Sequence, residues 1–150
     1  MSNFNLTKII SYLLKIIFII GIILIPFIPT IYNLIGTENL KVFADQTILY
    51  QITLYICYLF SLSIIYILIL MFSSIDKNGP FIMSTSKYLK IISLFFIILS
   101  IIIFIKILFI PTIISIAICI ITFIVSLCFY TLSEIFKEAI NHKKELDYTI

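Results

Sequence analysis

The stretch from residue 90 to residue 113 decides the fold: it opens with KIIS at 90–93 and closes with FIPTI at 109–113. KIIS also occurs at 8–11 and FIPTI at 27–31, so both patterns return at the same offset of 82 residues. Isoleucine matches carry little weight in an Ile-rich chain, and the recurrence depends on Lys, Ser, Phe, Pro and Thr staying in register. The pattern favours a repeated helical hairpin, with coincidence in a biased composition as the alternative.

The composition around this repeat is that of an integral membrane protein. Hydrophobic residues make up 63% of the 150 and charged residues 11%, against roughly 45–50% and 25% in soluble domains. All basic residues are lysine, so the chain lacks the bidentate arginine clamp for phosphates and carboxylates. The small positive net charge, +3, is spread along the chain and does not indicate direct nucleic-acid binding. The first apolar run is expected to be retained as a helix rather than cleaved as a signal peptide.

Four apolar runs predict four membrane-spanning helices, because each has about the 20 residues that a bilayer requires. They cover about residues 9–28, 48–72, 91–110 and 113–132. Between and after them lie a polar external loop at 32–47, a second loop at 73–90 and a charged tail at 133–150. The sequence therefore predicts one all-α membrane domain over residues 1–150, a four-helix bundle that could consist of two parallel helical-hairpin repeats.

Proline, serine and lysine give local signals within this plan. Pro26 and Pro29 should bend or end the first helix, and Ser84 is a candidate N-cap for the third. The connection at Pro111-Thr112 is short enough to require a tight hairpin. Lys106 lies near the end of the third span and is expected to extend its ammonium toward the headgroups.

The distribution of lysine predicts the orientation. Cytoplasmic loops of membrane proteins carry an excess of Lys and Arg. Eight of the lysines fall in the N-terminal turns, the 73–90 loop and the tail. The other two are Lys41, in the first external loop, and Lys106, near the second. Both termini are therefore expected to be cytoplasmic, in a multi-pass protein of the cell membrane.

Two helices carry polar faces at helical spacing. In the second span, Gln51, Tyr55, Tyr58 and Tyr66 fall on one stripe that should face protein. In the fourth span, a helix-packing face contains Thr112, Ser115, Cys119, Thr122, Ser126, Tyr130 and Ser133. Small residues on one face allow two helices to approach closely, and a polar pore lining is the alternative interpretation.

The tail after Ser133 should continue the fourth helix into the membrane interface, but its last six residues lack a helix signal. Leu146, Tyr148 and Ile150 alternate with polar residues there, as in an extended peptide that adds to a sheet edge or groove. We interpret them as a docking element for a cytoplasmic partner. A solvated end and packing against the 73–90 segment are the alternatives.

The side chains that membrane enzymes and pumps use are absent from the predicted spans. All Asp and Glu residues lie in loops or the tail, which argues against a proton-driven carrier. His142 is the single histidine and has no second ligand at metal-binding spacing, and Cys57, Cys119 and Cys128 are interpreted as small apolar fillers. We predict no catalytic residue, no metal and no cofactor, and an enzyme is the least supported class.

Two cytoplasmic segments resemble a known family. Gly79-Pro80-Phe81 followed by Lys87-Tyr88-Leu89-Lys90, together with a tail that reads EIFKE at 134–138 and KELDYTI at 144–150, resembles the small four-span bacterial membrane proteins of domain-of-unknown-function family 2975. The chain departs from the family pattern at Tyr148, where Leu is usual. It also departs at Ser84-Thr85-Ser86, where an acidic residue or Asn usually precedes the basic helix. The resemblance implies no established activity. It implies that a neighbouring gene encodes a small helix-turn-helix regulator, which is a candidate partner.

Two functions remain open on the sequence. One is a regulatory or self-protection (immunity-like) protein that acts through a cytoplasmic or membrane partner, since the patterned segments are the loop and the tail. The other is a small transporter or channel subunit, since two spans carry polar stripes. A single four-helix unit leaves no room for a pore, so the second function requires a homo-oligomer.

Overall fold

The computed structural model describes residues 3–30 and 47–149, and these residues form four long helices. Helix α1 spans Asn3–Leu24, α2 spans Thr47–Asn78, α3 spans Met83–Phe109 and α4 spans Ile113–Tyr148. Each is long and apolar enough to cross a membrane. The prediction of an all-α, four-span membrane fold is therefore confirmed. The expected external loop, with Lys41, and the terminal Ile150 lie outside the described residues.

Helix α1 gives way to a 3₁₀ turn at its first proline. Residues Ile25–Phe27 form a 3₁₀ turn with Pro26 near its start, because proline cannot donate the backbone hydrogen bond that the α-helix needs. The chain remains helical from 28 to 30. Ile28 is buried, and its counterpart in the repeat, Ile110, is buried as well.

The turn between α2 and α3 is much shorter than the predicted loop at 73–90. Helix α2 continues to Asn78, and only residues 79–82 separate it from α3. Gly79 adopts a positive φ of 85° and donates its N–H to the Ile75 carbonyl at 2.8 Å, a glycine helix end that most side chains would strain. Pro80 then prevents the helix from resuming at once.

Helix α3 starts before the predicted cap. Ile82, with extended backbone, occupies the N-cap position and makes no side-chain capping bond, so the assignment of Ser84 as the cap was wrong. The backbone supplies the first bond instead, since Thr85 N–H donates to the Ile82 carbonyl at 3.0 Å. Because Ile82 is already extended, the chain can turn into the helix before it reaches Ser84.

The α3–α4 hairpin follows from three consecutive residues. Ile110 precedes Pro111 and has left the helical conformation, with φ −134° and ψ 86°, because a following proline ring disfavours the α-helical region. Thr112 is extended and its hydroxyl accepts the Ser115 N–H at 3.3 Å, which is the N-cap bond that starts a helix. The tight hairpin expected at Pro111-Thr112 is observed.

The helices pack in chain order: α1 against α2, α2 against α3, and α3 most extensively against α4. The buried centre lies between α2 and α3, where Ile64, Ile92 and Leu99 form a cluster. Aromatic rings surround it, including Phe96, whose ring stacks on Phe129 of α4 at 5.7 Å. Most other large apolar side chains are exposed, which places them against the lipid bilayer.

The two ends of the bundle differ. We call the end with the turn at 110–112 the hairpin end, and the end with the turn at 79–82 the tail end. Phe18 contacts Tyr66 and Gly21 contacts Tyr58, so α1 and α2 run in opposite directions. Residue 3 and residue 148 consequently lie at the tail end, and the side of the membrane that this end faces stays a prediction.

Candidate functional site

A seam of serines joins α3 to α4 along their whole contact. Ser86, Ser93 and Ser100 of α3 lie seven residues apart, and they meet Ser133, Ser126 and Cys119 of α4, which are also seven apart and run in the opposite order. Five of these six side chains are serines, which are small enough to allow the backbones to approach closely. The α4 helix is thereby fixed in register on α3.

The hydrogen bonds across this seam are reciprocal in its two outer pairs and run one way, to a carbonyl, in the central pair. Ser86 Oγ donates to the Ser133 carbonyl at 2.9 Å and Ser133 Oγ donates to the Ser86 carbonyl at 2.8 Å. Ser126 Oγ donates to the Ser93 carbonyl at 2.9 Å. The third pair, Ser100 and Cys119, makes longer contacts than the two serine pairs, at 3.3 to 3.5 Å. Each interhelical bond of this kind contributes on the order of 0.6 kcal/mol in membrane proteins.

The structure divides the packing face that the sequence predicted on α4. Ser115, Ser126 and Ser133 are buried, and Cys119 lies in the seam. Thr122 is half-buried and its hydroxyl bonds within its own helix, to the carbonyls of Ile118 and Cys119. Tyr130 is 45% exposed, with the Lys90 ammonium 5.8 Å from its ring centre.

Sequence reasoning missed the α3 half of the seam. Ser86, Ser93 and Ser100 recur at a strict spacing of seven, which places them on one helix stripe. That stripe is the signal that could have identified α3 as the partner of the α4 face, but the isoleucine background obscured it.

The polar stripe of α2 meets α1 at two of its four positions. Tyr58 donates its hydroxyl to the Gly21 carbonyl at 2.7 Å, and the Tyr66 ring lies 5.9 Å from the Phe18 ring. Gln51 and Tyr55 are half-buried. A Cβ atom at position 21 would lie 2.5 Å from Leu62 Cδ2, so the helices approach this closely only because Gly21 has no side chain. Here too a small residue sets the distance between two helices.

A second polar group occupies the hairpin end. Lys106 is only 6% exposed, and its ammonium donates to the hydroxyls of Thr112, at 3.3 Å, and Ser115. It also lies 4.3 Å from the centre of the Tyr50 ring. The side chain extends toward the end of the helix as snorkelling requires, but protein groups enclose the ammonium.

The tail of α4 is helical where the sequence predicted an extended end. Helix α4 continues to Tyr148, and Thr149 closes it with a hydroxyl bond to the Glu145 carbonyl at 2.6 Å. The prediction that the last six residues lack helix was wrong for residues 145–148. Lengthening an existing helix avoids the cost of nucleation, and Lys, Glu and Leu are good helix formers.

This helix separates the predicted docking residues. Leu146 and Tyr148 are 67% and 90% exposed, but two residues advance a helix by about 200°, so they point to opposite sides. Ile150 lies outside the described residues. An extended docking peptide is therefore replaced by an exposed helix end.

Within the described residues, no group of three His, Cys, Asp or Glu side chains could hold a metal ion. His142 Nδ1 lies 3.7 Å from a Glu145 carboxylate oxygen, and both side chains are more than three-quarters exposed. Cys57 and Cys119 are half-buried and Cys128 is exposed, and all three are free thiols.

These features define a small multi-pass membrane protein of four helices. The chain belongs to the family described as Protein of unknown function (DUF2975), whose match covers residues 8–150. The resemblance in the 79–90 segment and the tail is thereby confirmed. No curated protein and no solved structure matches the chain.

Proposed function

We propose that this protein is a non-enzymatic regulatory or self-protection protein of the cell membrane, in which the exposed end of α4 binds a cytoplasmic protein. The observation that carries the proposal is the length of α4. Its 36 residues extend about 54 Å at 1.5 Å per residue, whereas the hydrocarbon core is about 30 Å thick. One continuous helix therefore connects the membrane to an exposed surface.

The bundle holds the base of this extension firmly. Ser133 is anchored to Ser86 at the tail end of the seam. One helical turn beyond Ser133, the Phe136 ring stacks on the ring of Phe81, in the 79–82 turn, with the ring centres 5.8 Å apart. Ile140 is 4% exposed, and every residue from 141 to 149 is exposed. The free part of α4 thus begins immediately after Ile140 and keeps the direction that the seam imposes.

The geometry favours one face of α4 from Ile135 to its free end. Ile135, Ala139, His142 and Leu146 follow one another at spacings of four, three and four, so they share a helix face. Ile135 is 60% exposed and Leu146 is 67% exposed. Ile135, Ala139 and Leu146 are the apolar residues of this face, and apolar anchors on one helix face are what a partner with a hydrophobic groove recognises. We therefore assign docking to the face of Leu146, while Tyr148 lies on the opposite side.

Photo-crosslinking in living cells tests this assignment. A photoreactive residue at position 146 should form a discrete adduct with a cytoplasmic protein, whereas the same residue at 148 or at lipid-facing position 121 should not. Truncation after Asn141 should abolish the adduct and the cellular phenotype while the protein still inserts. If both survive truncation, the tail is a solvated end. Ion or solute flux in liposomes with the purified protein would then support the transport alternative.

A further inference from the structure

A cavity of about 230 Å³ lies at the hairpin end, between the start of α2, the end of α3 and the start of α4. Its wall is mainly apolar and includes Ile118 of α4. Polar groups also line it: the hydroxyl of Ser115, the Tyr50 and Thr53 side chains and the ammonium of Lys106. The volume exceeds the about 30 Å³ that one water molecule occupies, so the cavity has room for a polyatomic ligand group.

The cavity holds the positive charge of Lys106, and the described residues that line it include no carboxylate. Lys106 contacts two hydroxyls and one aromatic ring, all neutral. Within residues 3–30 and 47–149, the ion pairs involve other lysines and His142, and no carboxylate pairs with Lys106. A buried ammonium without a counter-ion is costly in a low-dielectric environment. An anion that enters the cavity would lower that cost.

The cavity also lies near the ends of the spanning helices, where we expect the phosphate groups of a membrane. Lys106 is three residues from the last residue of α3, and Tyr50 is three residues from the first residue of α2. At 1.5 Å per residue, both are about 5 Å from the helix ends. The N-terminal end of α4 points into the same region, and its partial positive charge adds to that of the ammonium.

We propose that this cavity binds the phosphate group of an anionic ligand, with Lys106 Nζ as the charged partner and the Ser115 hydroxyl as a hydrogen-bonding partner. Lysine binds phosphate as a point charge, and basic pockets between membrane helices accept phospholipid head groups. Two sources can supply the group: a phospholipid, whose acyl chains would lie along exposed residues such as Ile114 (73% exposed), or free inorganic phosphate. The inference does not depend on the docking role of α4.

Native mass spectrometry of the full-length protein in detergent provides the test. The probes are a short-chain phosphatidylglycerol, inorganic phosphate, and the diacylglycerol of the same chain length, which lacks the phosphate. Wild-type protein should retain phosphatidylglycerol in preference to diacylglycerol. Lys106→Gln should weaken this binding about fivefold or more, the factor expected for one lysine at a membrane surface. Binding of inorganic phosphate that is lost in the same variant would identify free phosphate as the source.

Two further variants make the result decisive. Lys15→Gln removes the same charge from α1, where Lys15 is exposed beside the Tyr12 ring, and should bind like wild type. Ile118→Trp leaves Lys106 in place but fills the cavity, and should bind as weakly as Lys106→Gln. The proposal would be overturned if wild type showed no Lys106-dependent binding of inorganic phosphate and, in addition, either bound phosphatidylglycerol no better than the folded cavity variants do or retained diacylglycerol equally well.

Discussion

Ser93 and Ser126 meet at the centre of the α3–α4 seam, where Ser126 donates to the Ser93 carbonyl at 2.9 Å and the two hydroxyl oxygens lie 3.3 Å apart. Both side chains are almost fully buried, at 2% and 0% exposure. The equivalent pairs lie seven residues away on either side, so a single steric rule governs the whole hairpin. A residue larger than serine or cysteine at any of these positions would separate the helices.

The first prediction concerns the size of the side chain at this centre. Ser126→Leu should destabilise the protein by about 1–3 kcal/mol through overpacking, whereas Ser126→Ala should lose only about 0.6 kcal/mol for the hydrogen bond. Ile121→Leu is the control, since Ile121 is 59% exposed on another face. Unfolding in mixed micelles with increasing SDS, followed by circular dichroism, measures the difference. Equal stability of Ser126→Leu and Ile121→Leu would show that the seam does not limit helix approach.

Two neighbouring residues should respond in opposite ways to loss of a hydroxyl. Thr85 is 2% exposed, and its hydroxyl has no hydrogen-bond partner among the described groups, whereas the Ser86 hydroxyl bonds across the seam. Thr85→Val keeps the shape and removes an unsatisfied polar group, so it should leave stability unchanged or raise it. Ser86→Ala should lower stability. A marked loss in Thr85→Val would mean that its hydroxyl has a partner.

Gly21 offers a test of the α1–α2 contact. A methyl group in Gly21→Ala would lie 2.5 Å from Leu62 Cδ2, and the strain should also displace the Tyr58 hydroxyl from the Gly21 carbonyl. We expect a loss on the order of 1–3 kcal/mol. Leu62→Ala removes the obstructing atom, so the double variant should be more stable than the sum of the single losses predicts. Strict additivity in this double-mutant cycle would contradict the contact.

The sequence predicted the helices better than their partners. Apolar length and the Pro111 break determine the α3–α4 junction locally, which is why the end of α3 at Phe109 and the start of α4 at Ile113 lie where the sequence places them. The pairing of Ser93 with Ser126 depends on tertiary packing, and isoleucine on every side gives no amphipathic contrast that would identify a partner helix. The length of α4 was underestimated only at residues 145–148: these residues carry no helix signal of their own, but an existing helix extends through them without a new nucleation step.

Reporter fusions test the orientation. A reporter at the C-terminus and one inserted in the 32–46 segment should lie on opposite sides of the membrane, with the C-terminus cytoplasmic as the lysine distribution predicts. The structure requires that residue 3 and residue 148 share one side, because four helices alternate in direction. A C-terminal reporter outside the cell membrane would place the end of α4, and its partner, outside the cytoplasm.

The last prediction asks whether docking requires the helical form of the α4 end. Lys143→Pro removes a backbone hydrogen bond and places a proline ring against the Ala139 carbonyl, a change that costs about 3 kcal/mol in a helix interior. Because residues 141–149 are exposed, this cost should melt the free end and leave the serine seam intact. Lys143→Ala removes the same charge but favours helix, and is the matched control.

We expect the crosslink from position 146 to disappear in Lys143→Pro and to persist in Lys143→Ala, with equal resistance of both to SDS unfolding. Since a melted end can still present Leu146 and Tyr148 as an extended peptide, persistence of the crosslink in Lys143→Pro would show that the partner selects the extended form from a helix that unfolds on binding.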